Sequence, residues 1–289
     1  QFGMLVEQIL DEQLDPAVLD LSSAEALYLR ANTHFKADPD FAERARRRVV
    51  LLQTGDPDTR AIWQQLIDIS IAGFDAAYAR LGVLLTDADL AGESMYNDDL
   101  ASVVEDLVAS GTAVVDDGAL VVFVEGFNAP MIVRKSDGGF GYGATDLAAV
   151  RHRVRTLHAD RLIYVVGAPQ SFHFDLVFAV SRKAGFLPDD VSAEHVAFGQ
   201  VLGPDGKKFS TREGTSVTLN SLLDAAEREA APPVALAAIK YADLSNGLNK
   251  DYVFDIHRMV QTTGNTGPYL QYAHARVNQV LRKAAARGY

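Results

Sequence analysis

The 289-residue chain contains no cysteine, so disulfides, thiolate metal sites and cysteine nucleophiles are excluded, and the composition fits a cytoplasmic protein. No apolar run approaches the ~18 residues a membrane-spanning helix needs, and no signal peptide stands at the front. Internal repeats, low-complexity tracts and heptad arrays are missing too, which removes solenoids and coiled coils. An initiator methionine is also lacking. The chain opens at Gln1, runs at once into the apolar stretch Phe2 to Leu10, and reads as cut from something longer. What is present has the composition of a globular enzyme: 48% hydrophobic and 22% charged residues, with a mean hydropathy of +0.01. That is enough apolar material for a sizeable core, over a length suited to one large domain or two ordinary ones.

The formal charge of −11 conceals an asymmetry. Residues 1–130 carry 23 acids against 8 bases, whereas residues 131–289 carry 15 against 19. An acidic isoelectric point near 5.0 argues against a nucleic-acid partner, but the basic excess of the second half weakens that objection, because only a local basic surface is needed.

The first third reads as helical. Asp56-Pro57 suits a cap and first turn, followed by the stripe Trp63, Leu66, Ser70, Phe74, Ala77, Tyr78 and Leu81, with Gly82 as the stop. The run Arg44-Ala-Arg-Arg-Arg48 is read as a solvated helix face in preference to a phosphate-binding patch. A helix over 98–110 precedes two apolar runs, 112–115 and 119–124, which flank Asp116-Asp-Gly118 and predict a hairpin; a third strand over 131–134 completes a small mixed insertion. The centre then alternates. The run 162–166 is expected to be a strand covered on both faces, followed by a helix over 174–184 closed by Gly185 and a strand over 195–202. Such alternation predicts a parallel α/β sheet with ligands beyond the carboxyl ends of its strands. Helices are expected over 221–230, 234–246 and from 259 to the end.

The most pointed feature is the loop Gly203-Pro-Asp-Gly-Lys-Lys-Phe-Ser-Thr-Arg-Glu-Gly214 at a strand exit. Lys207, Lys208 and Arg212, with the hydroxyls of Ser210 and Thr211, suit a polyphosphate, whose leaving pyrophosphate gathers charge that ammonium groups stabilise. By local composition a solvated basic turn fits equally well.

Lys208-Phe-Ser-Thr211 resembles the second signature of class I aminoacyl-tRNA synthetases, usually written KMSK, with the final lysine replaced. The likeness spreads over most of the chain. Gln1-Phe-Gly-Met-Leu5, Gly92-Glu-Ser-Met-Tyr-Asn97, Arg134-Lys-Ser-Asp-Gly-Gly139 and Ala144-Thr-Asp-Leu-Ala-Ala149 resemble arginyl-tRNA synthetases. So do Val165-Val-Gly-Ala-Pro-Gln170, Val196-Ala-Phe-Gly199, Ala242-Asp-Leu-Ser245 and the block Gly264 to Arg276. Eight blocks in the right order are far more specific than any one alone.

The resemblance implies a class I Rossmann-type parallel sheet, incomplete at its N-terminus, with a small α+β insertion and a C-terminal helical region. The implied divisions are a helical part of the catalytic domain over 1–90, the insertion over 91–138, the second half of the nucleotide-binding domain over 139–254, and the start of an anticodon-binding bundle over 255–289. The implied activity is arginine–tRNA ligation, in which arginine and ATP form arginyl-adenylate and pyrophosphate before the arginyl group passes to tRNA(Arg). Lys208, helped by Lys207, would stabilise the first transition state. Asp146 would receive the substrate guanidinium, a planar fork of donors that suits a carboxylate, although a Thr145-Asp146 helix cap explains the same residue. Tyr142, by pattern alone a core aromatic, would wall the arginine pocket, and Gln170 would select the side chain. His173, Phe198, Gly199, Lys208 and Ser210 would line the ATP site, with a structural histidine an equal reading of His173. No His, Asp and Glu spacing suggests a protein-held metal, so Mg²⁺ is expected on the ATP phosphates.

Residues 255–289 hold one acid against five Arg and Lys. Arg276, Arg282 and Lys283 would meet tRNA phosphates, or stay solvated on a packed helix. The other family signature, HIGH, is expected upstream of Gln1, and no His-x-Gly-His tetrad occurs in these 289 residues. The chain alone is therefore expected to be inactive. The competing reading is a non-catalytic paralogue that binds arginine, nucleotide or RNA. No membrane partner is expected.

Overall fold

The computed structural model describes residues 1–203, 205–207 and 218–289, which form two compact units: residues 1–78 with 83–196, and residues 79–82 with 197–289. Its architecture is mixed α/β and mostly helical.

The first unit opens with α1 (Phe2–Glu12), α2 (Leu21–Ala37), α3 (Pro39–Thr54) and α4 (Pro57–Leu81). Their ends follow from capping chemistry. Asp20 accepts from the Ser23 amide at 2.8 Å, and Ser23 answers to the Asp20 amide. Asp38 ends α2 and caps α3, with Pro39 at the first helical position. Gly55 (φ +89) and Gly82 (φ +64) take the left-handed conformation that stops α3 and α4. Val6 and Ile9 of α1 pack with Leu27 and Leu66, as the stripe on α4 predicts for Leu66, but Phe74 at the same spacing is 53% exposed.

The Arg44–Arg48 run is exposed at Arg44, Arg46 and Arg47, as a solvated helix face should be, but it is also tied down by partners. Arg44 donates to Glu7 at 3.0 Å and to Asp11 at 2.7 Å, while Arg48 donates to Glu7 at 2.7 Å and to Thr59 at 3.0 Å. Arg46 lies over the Phe35 ring. The expectation was incomplete because acids on α1, some forty residues away in sequence, face Arg44 and Arg48; no local pattern shows that pairing.

In the rest of this unit α5 (Leu100–Ala109) precedes the antiparallel sheet of β1 (Val114–Asp116), β2 (Ala119–Val122) and β3 (Met131–Arg134). The hairpin is as predicted: Asp116 pairs with Ala119 around Asp117 (φ +44) and Gly118 (φ +77), the type I′ pattern an Asp-Gly pair favours. Then come α6 (Tyr142–Arg155), β4 (Arg161–Gly167), α7 (Ser171–Lys183) and β5 (Ser192–Phe198), which pairs with β4. Leu107, Val122, Val133, Leu147, Val177 and Phe186 are fully buried among these elements.

In the second unit β6 (Val201–Leu202) and β7 (Tyr252–Val253) pair in parallel beside α8 (Leu219–Glu229), α9 (Pro232–Leu244), α10 (Ile256–Met259) and α11 (Gly267–Ala285). Leu223, Ala226, Ala235, Ile239 and Phe254 form its core.

Three expectations are corrected. Ile163 (51%) and Val165 (61%) are exposed, so β4 is covered on one face only. The strand expected over 195–202 is two strands in different sheets, because the chain breaks at Gly199-Gln200 to cross another backbone segment. The parallel α/β sheet expected of the central alternation is a small one among the described residues, in which β4 pairs with β5 and α7 lies between them in sequence. The final helix is split, with Gly264 (φ +82) between α10 and α11.

Candidate functional site

The site begins with the docking of α6 on β3. A Cβ on Gly143 would lie 2.7 Å from Met131 Cγ and 3.0 Å from the Ile132 carbonyl oxygen, so only glycine lets the first turn of α6 sit this close. That turn carries Tyr142, which is 72% exposed, and one turn later Asp146, half-buried. Gly141 is the cap of α6 and Tyr142 its first residue. Asp146 therefore lies in the second turn, and the alternative of a Thr145-Asp146 cap is overturned. Its side chain is left for other partners.

One such partner is His173. Its Nε2 lies 2.7 Å from Asp146 Oδ2. His173 is in the first turn of α7, three residues after the exposed Gln170, which occupies the cap position without a side-chain capping bond. The hydrogen bond to the Asp146 carboxylate holds the His173 pKa above the usual histidine value, against the opposing effect of burial. Buried Phe174 supports the pair from below. Its ring meets His173 edge-on at 5.3 Å, Tyr164 at 5.0 Å and His195 at 5.1 Å. Tyr164 accepts a 2.7 Å hydrogen bond from Arg153, whose guanidinium lies over the same ring, and burial pushes the Tyr164 hydroxyl up. His195 Nε2 lies 2.9 Å from the Val166 carbonyl oxygen, joining β5 to β4.

The first unit thus gathers Tyr142, Asp146, Gln170 and His173 on two neighbouring helices, and directly joins Asp146 to His173. Sequence reasoning missed Phe174, Tyr164 and Arg153. The available signals were the inward-facing positions of β4 and the seven-residue spacing that puts Asp146 and Arg153 on one side of α6.

Phe198, Gly199 and Lys207 belong to the second unit. Phe198 is exposed at the end of β5. Gly199 has a structural reason of its own. A Cβ there would run into the Lys250 carbonyl and approach the Asp251 nitrogen to 2.6 Å, and the Gly199 amide donates to the Leu248 carbonyl at 2.8 Å. Lys207 is exposed on a turn closed by the Gly206 amide donating to Gly203 at 2.9 Å, with Gly206 at φ +72. Lys208 and Ser210 lie outside the described residues. Arg276, Arg282 and Lys283 are exposed on α11, where Arg276 donates to the Tyr272 hydroxyl at 2.6 Å.

A concavity of about 350 Å³ opens between α5 and the β2–β3 edge, lined by Val104, Val108, Leu120, Arg134 and Phe140. None of the sequence-predicted site residues lines it, and its charged side chains are Glu105 and Arg134 among otherwise apolar walls; the Asp146–His173 cluster, which brings predicted residues together, is the better candidate site. Among the described residues no group of three or more His, Asp and Glu is arranged to hold a metal ion, and no helix is long and apolar enough to cross a membrane.

Residues 1–232 match the family described as tRNA synthetases class I (R), catalytic domain. The chain is 68% identical over 286 residues to an arginine–tRNA ligase of Cutibacterium acnes, covering 99% of this chain and 51% of that protein. It is 49% identical to the corresponding ligase of Frankia casuarinae, covering 98% of this chain and 54% of that one. The chain therefore spans about half the length of the curated relatives it matches. Among solved structures, arginyl-tRNA synthetase from Plasmodium falciparum superposes with a TM-score of 0.81 at 28% identity, over 98% of this chain and 50% of that one.

Proposed function

The chain belongs to the class I arginyl-tRNA synthetase family, and from that premise we propose that it supplies the arginine-binding and pyrophosphate-facing part of an arginine–tRNA ligase. The observation that carries this reading is the solvent-reachable carboxylate of Asp146, one turn from the exposed Tyr142, within a stretch that matches the family's catalytic domain.

In this reading Asp146 accepts the guanidinium of arginine, Tyr142 forms a wall beside it, and Gln170 adds a neutral hydrogen-bonding partner at the start of α7. A fork of donors then binds better than the point charge of lysine, which cannot fill two acceptor directions at once. The arginine carboxylate attacks the α-phosphorus of ATP, and pyrophosphate leaves. Lys208, with Lys207, stabilises the charge that gathers on the phosphates, acting electrostatically and without a covalent intermediate. Mg²⁺ travels on the ATP phosphates. Phe198 offers an exposed ring to the nucleotide base beside Gly199, with Ser210 further along toward the phosphates. The terminal ribose hydroxyl of tRNA(Arg) then takes the arginyl group, and Arg276, Arg282 and Lys283 meet RNA phosphates. β4 with β5 and β6 with β7 are read as portions of a Rossmann-type nucleotide-binding sheet, and the divisions at 90, 138 and 254 follow the same reading.

Arginine-dependent ATP–pyrophosphate exchange in the presence of tRNA(Arg) tests the proposal. Residues 1–289 alone should be silent, because no His-x-Gly-His tetrad lies within them. A chain with such a strand–helix segment fused before Gln1 should exchange, and Lys208→Ala should cost that activity roughly 10²–10³-fold. Exchange by residues 1–289 alone would overturn the need for the tetrad. A fused chain that binds arginine but never exchanges would favour a non-catalytic binding module.

A further inference from the structure

The mechanism above gives His173 no task, yet its ring makes a 2.7 Å bond to the residue that matters most for arginine. A carboxylate offers about four acceptor directions, two on each oxygen. His173 takes one on Oδ2, and no other hydrogen bond to Asp146 occurs among the described residues, so Oδ1 remains available. The ring itself has little freedom, being packed edge-on against the buried Phe174, which is in turn wedged between Tyr164 and His195. Orientation is thus passed from the β4–β5 pair through Phe174 and His173 to the carboxylate. This is a chain of contacts, and every link in it lies within the first unit.

We propose that His173 is a positioning residue for the guanidinium-receiving carboxylate, fixing Asp146 through Oδ2 so that Oδ1 is left for ligand, and that arginine binding drives the proton off the His173 ring. The proposal rests on the reading that Asp146 receives the guanidinium. Its second part follows from charge. Protonated His173 and a bound guanidinium are two cations competing for one carboxylate, and each lowers the other's affinity by the same factor. Neutral His173 with its remaining proton on Nε2 still donates to Oδ2, so the carboxylate keeps its orientation when the competing charge departs.

The charged and titratable groups around the ring are few. Asp146 on α6 touches it. Asp175 follows on α7 and is exposed, and behind Phe174 stand Tyr164 on β4, His195 on β5 and, through Tyr164, Arg153 on α6. Asp146 holds the ring protonated above its ordinary range, and a guanidinium at Asp146 opposes that hold.

The test uses the chain that shows exchange activity and follows KM for arginine, KM for ATP and kcat from pH 6 to 8.5. In the unsubstituted chain KM for arginine should fall as pH rises through the His173 titration, by about tenfold for each unit by which arginine lowers that pKa. In His173→Gln, whose amide nitrogen can replace Nε2 as a donor without titrating, KM for arginine should stay near its high-pH value at every pH. His173→Ala should raise KM for arginine at least about fivefold while leaving KM for ATP unchanged, the mark of a lost positioning contact and not of a misfolded chain. The proposal is overturned if His173→Ala raises KM for ATP instead, or if His173→Gln keeps the full pH slope. Asp146→Ala separates the two levels: unchanged KM for arginine there removes the guanidinium reading itself, whatever His173 does.

Discussion

Replacing Gly199 by alanine separates the role that the sequence assigns to this residue from the one that the structure gives it. As part of the segment expected to pack against adenine, Gly199 should matter to ATP alone. The structure gives it a different burden. The chain leaves β5 and enters β6 by crossing the backbone of residues 248–251, and the crossing is fastened by the Gly199 amide on Leu248 at 2.8 Å and the Gln200 amide on Asp251 at 2.6 Å. A Cβ at 199 would overlap the Lys250 carbonyl, which is backbone and cannot swing aside as a side-chain end does. Either strand must retreat by roughly an ångström. Overpacking of this kind costs about 1–3 kcal/mol, and loosening two hydrogen bonds adds about 1 kcal/mol, for a total of about 2–4 kcal/mol. The short β6–β7 pairing, held by the Tyr252 amide on Gln200 and the Phe254 amide on Leu202, should open with it. Amide hydrogen exchange resolved by peptide should therefore show lost protection over 199–203 and 250–254, along with a lower midpoint in urea. Gly92→Ala is the control, since Gly92 has an ordinary φ of −69 and nothing near its would-be Cβ; its effect should stay within about 0.5 kcal/mol. An alanine variant with unchanged protection and midpoint, impaired only toward ATP, would refute the steric argument.

Two further outcomes follow from the ion pairs and buried groups. Glu7→Gln should destabilise the chain by about 2 kcal/mol, because a nearly buried carboxylate shared by Arg44 and Arg48 is replaced by a group that cannot neutralise either. Urea unfolding followed by the single tryptophan, Trp63, which meets Phe2 of α1 edge-on at 6.3 Å, reads this directly, and a shift below 0.5 kcal/mol would refute it. Tyr252 is pushed up to about 12 by burial, with Asp243 adding to the effect. Since the folded pKa is raised, its contribution is fully present below the unfolded value near 10 and is lost as pH climbs from 10 to about 12. Tyr252→Phe should remove that alkaline loss, and a Tyr252 tyrosinate midpoint near 10 in the folded protein would contradict the prediction.

Much of the local structure was legible because it is written in neighbouring residues. Asp-Gly at 117–118 dictates a turn with two positive φ values, Asp38-Pro39 dictates an end and a start, and Gly82 and Gly185 stop helices by adopting a conformation other residues avoid. Ordered blocks, from Gln1-Phe-Gly-Met-Leu5 to the Gly264–Arg276 stretch, also made the family legible, since their order along the chain is a property of sequence alone. The apolar run at the centre was a less reliable guide to burial. A run such as 162–166 is apolar throughout, and only packing reveals that Ile163 and Val165 are left uncovered.

Sequence by itself determined many of the element types, the limits of several, the family, and which side chains are candidates for arginine and phosphate. Tertiary structure alone decided the partners. It added to the exposed face of the Arg44–Arg48 run an ion-pair lock of Arg44 and Arg48 on Glu7 and Asp11, because those acids approach from a different helix. It gave Gly199 a steric reason that has nothing to do with a ligand, and it set His173 against Asp146 across 27 positions of sequence. The physical reason is common to all three. Helix propensity, turn chemistry and periodicity act over a few residues, whereas a 2.7 Å hydrogen bond or a backbone clash depends on distances that only the folded chain sets.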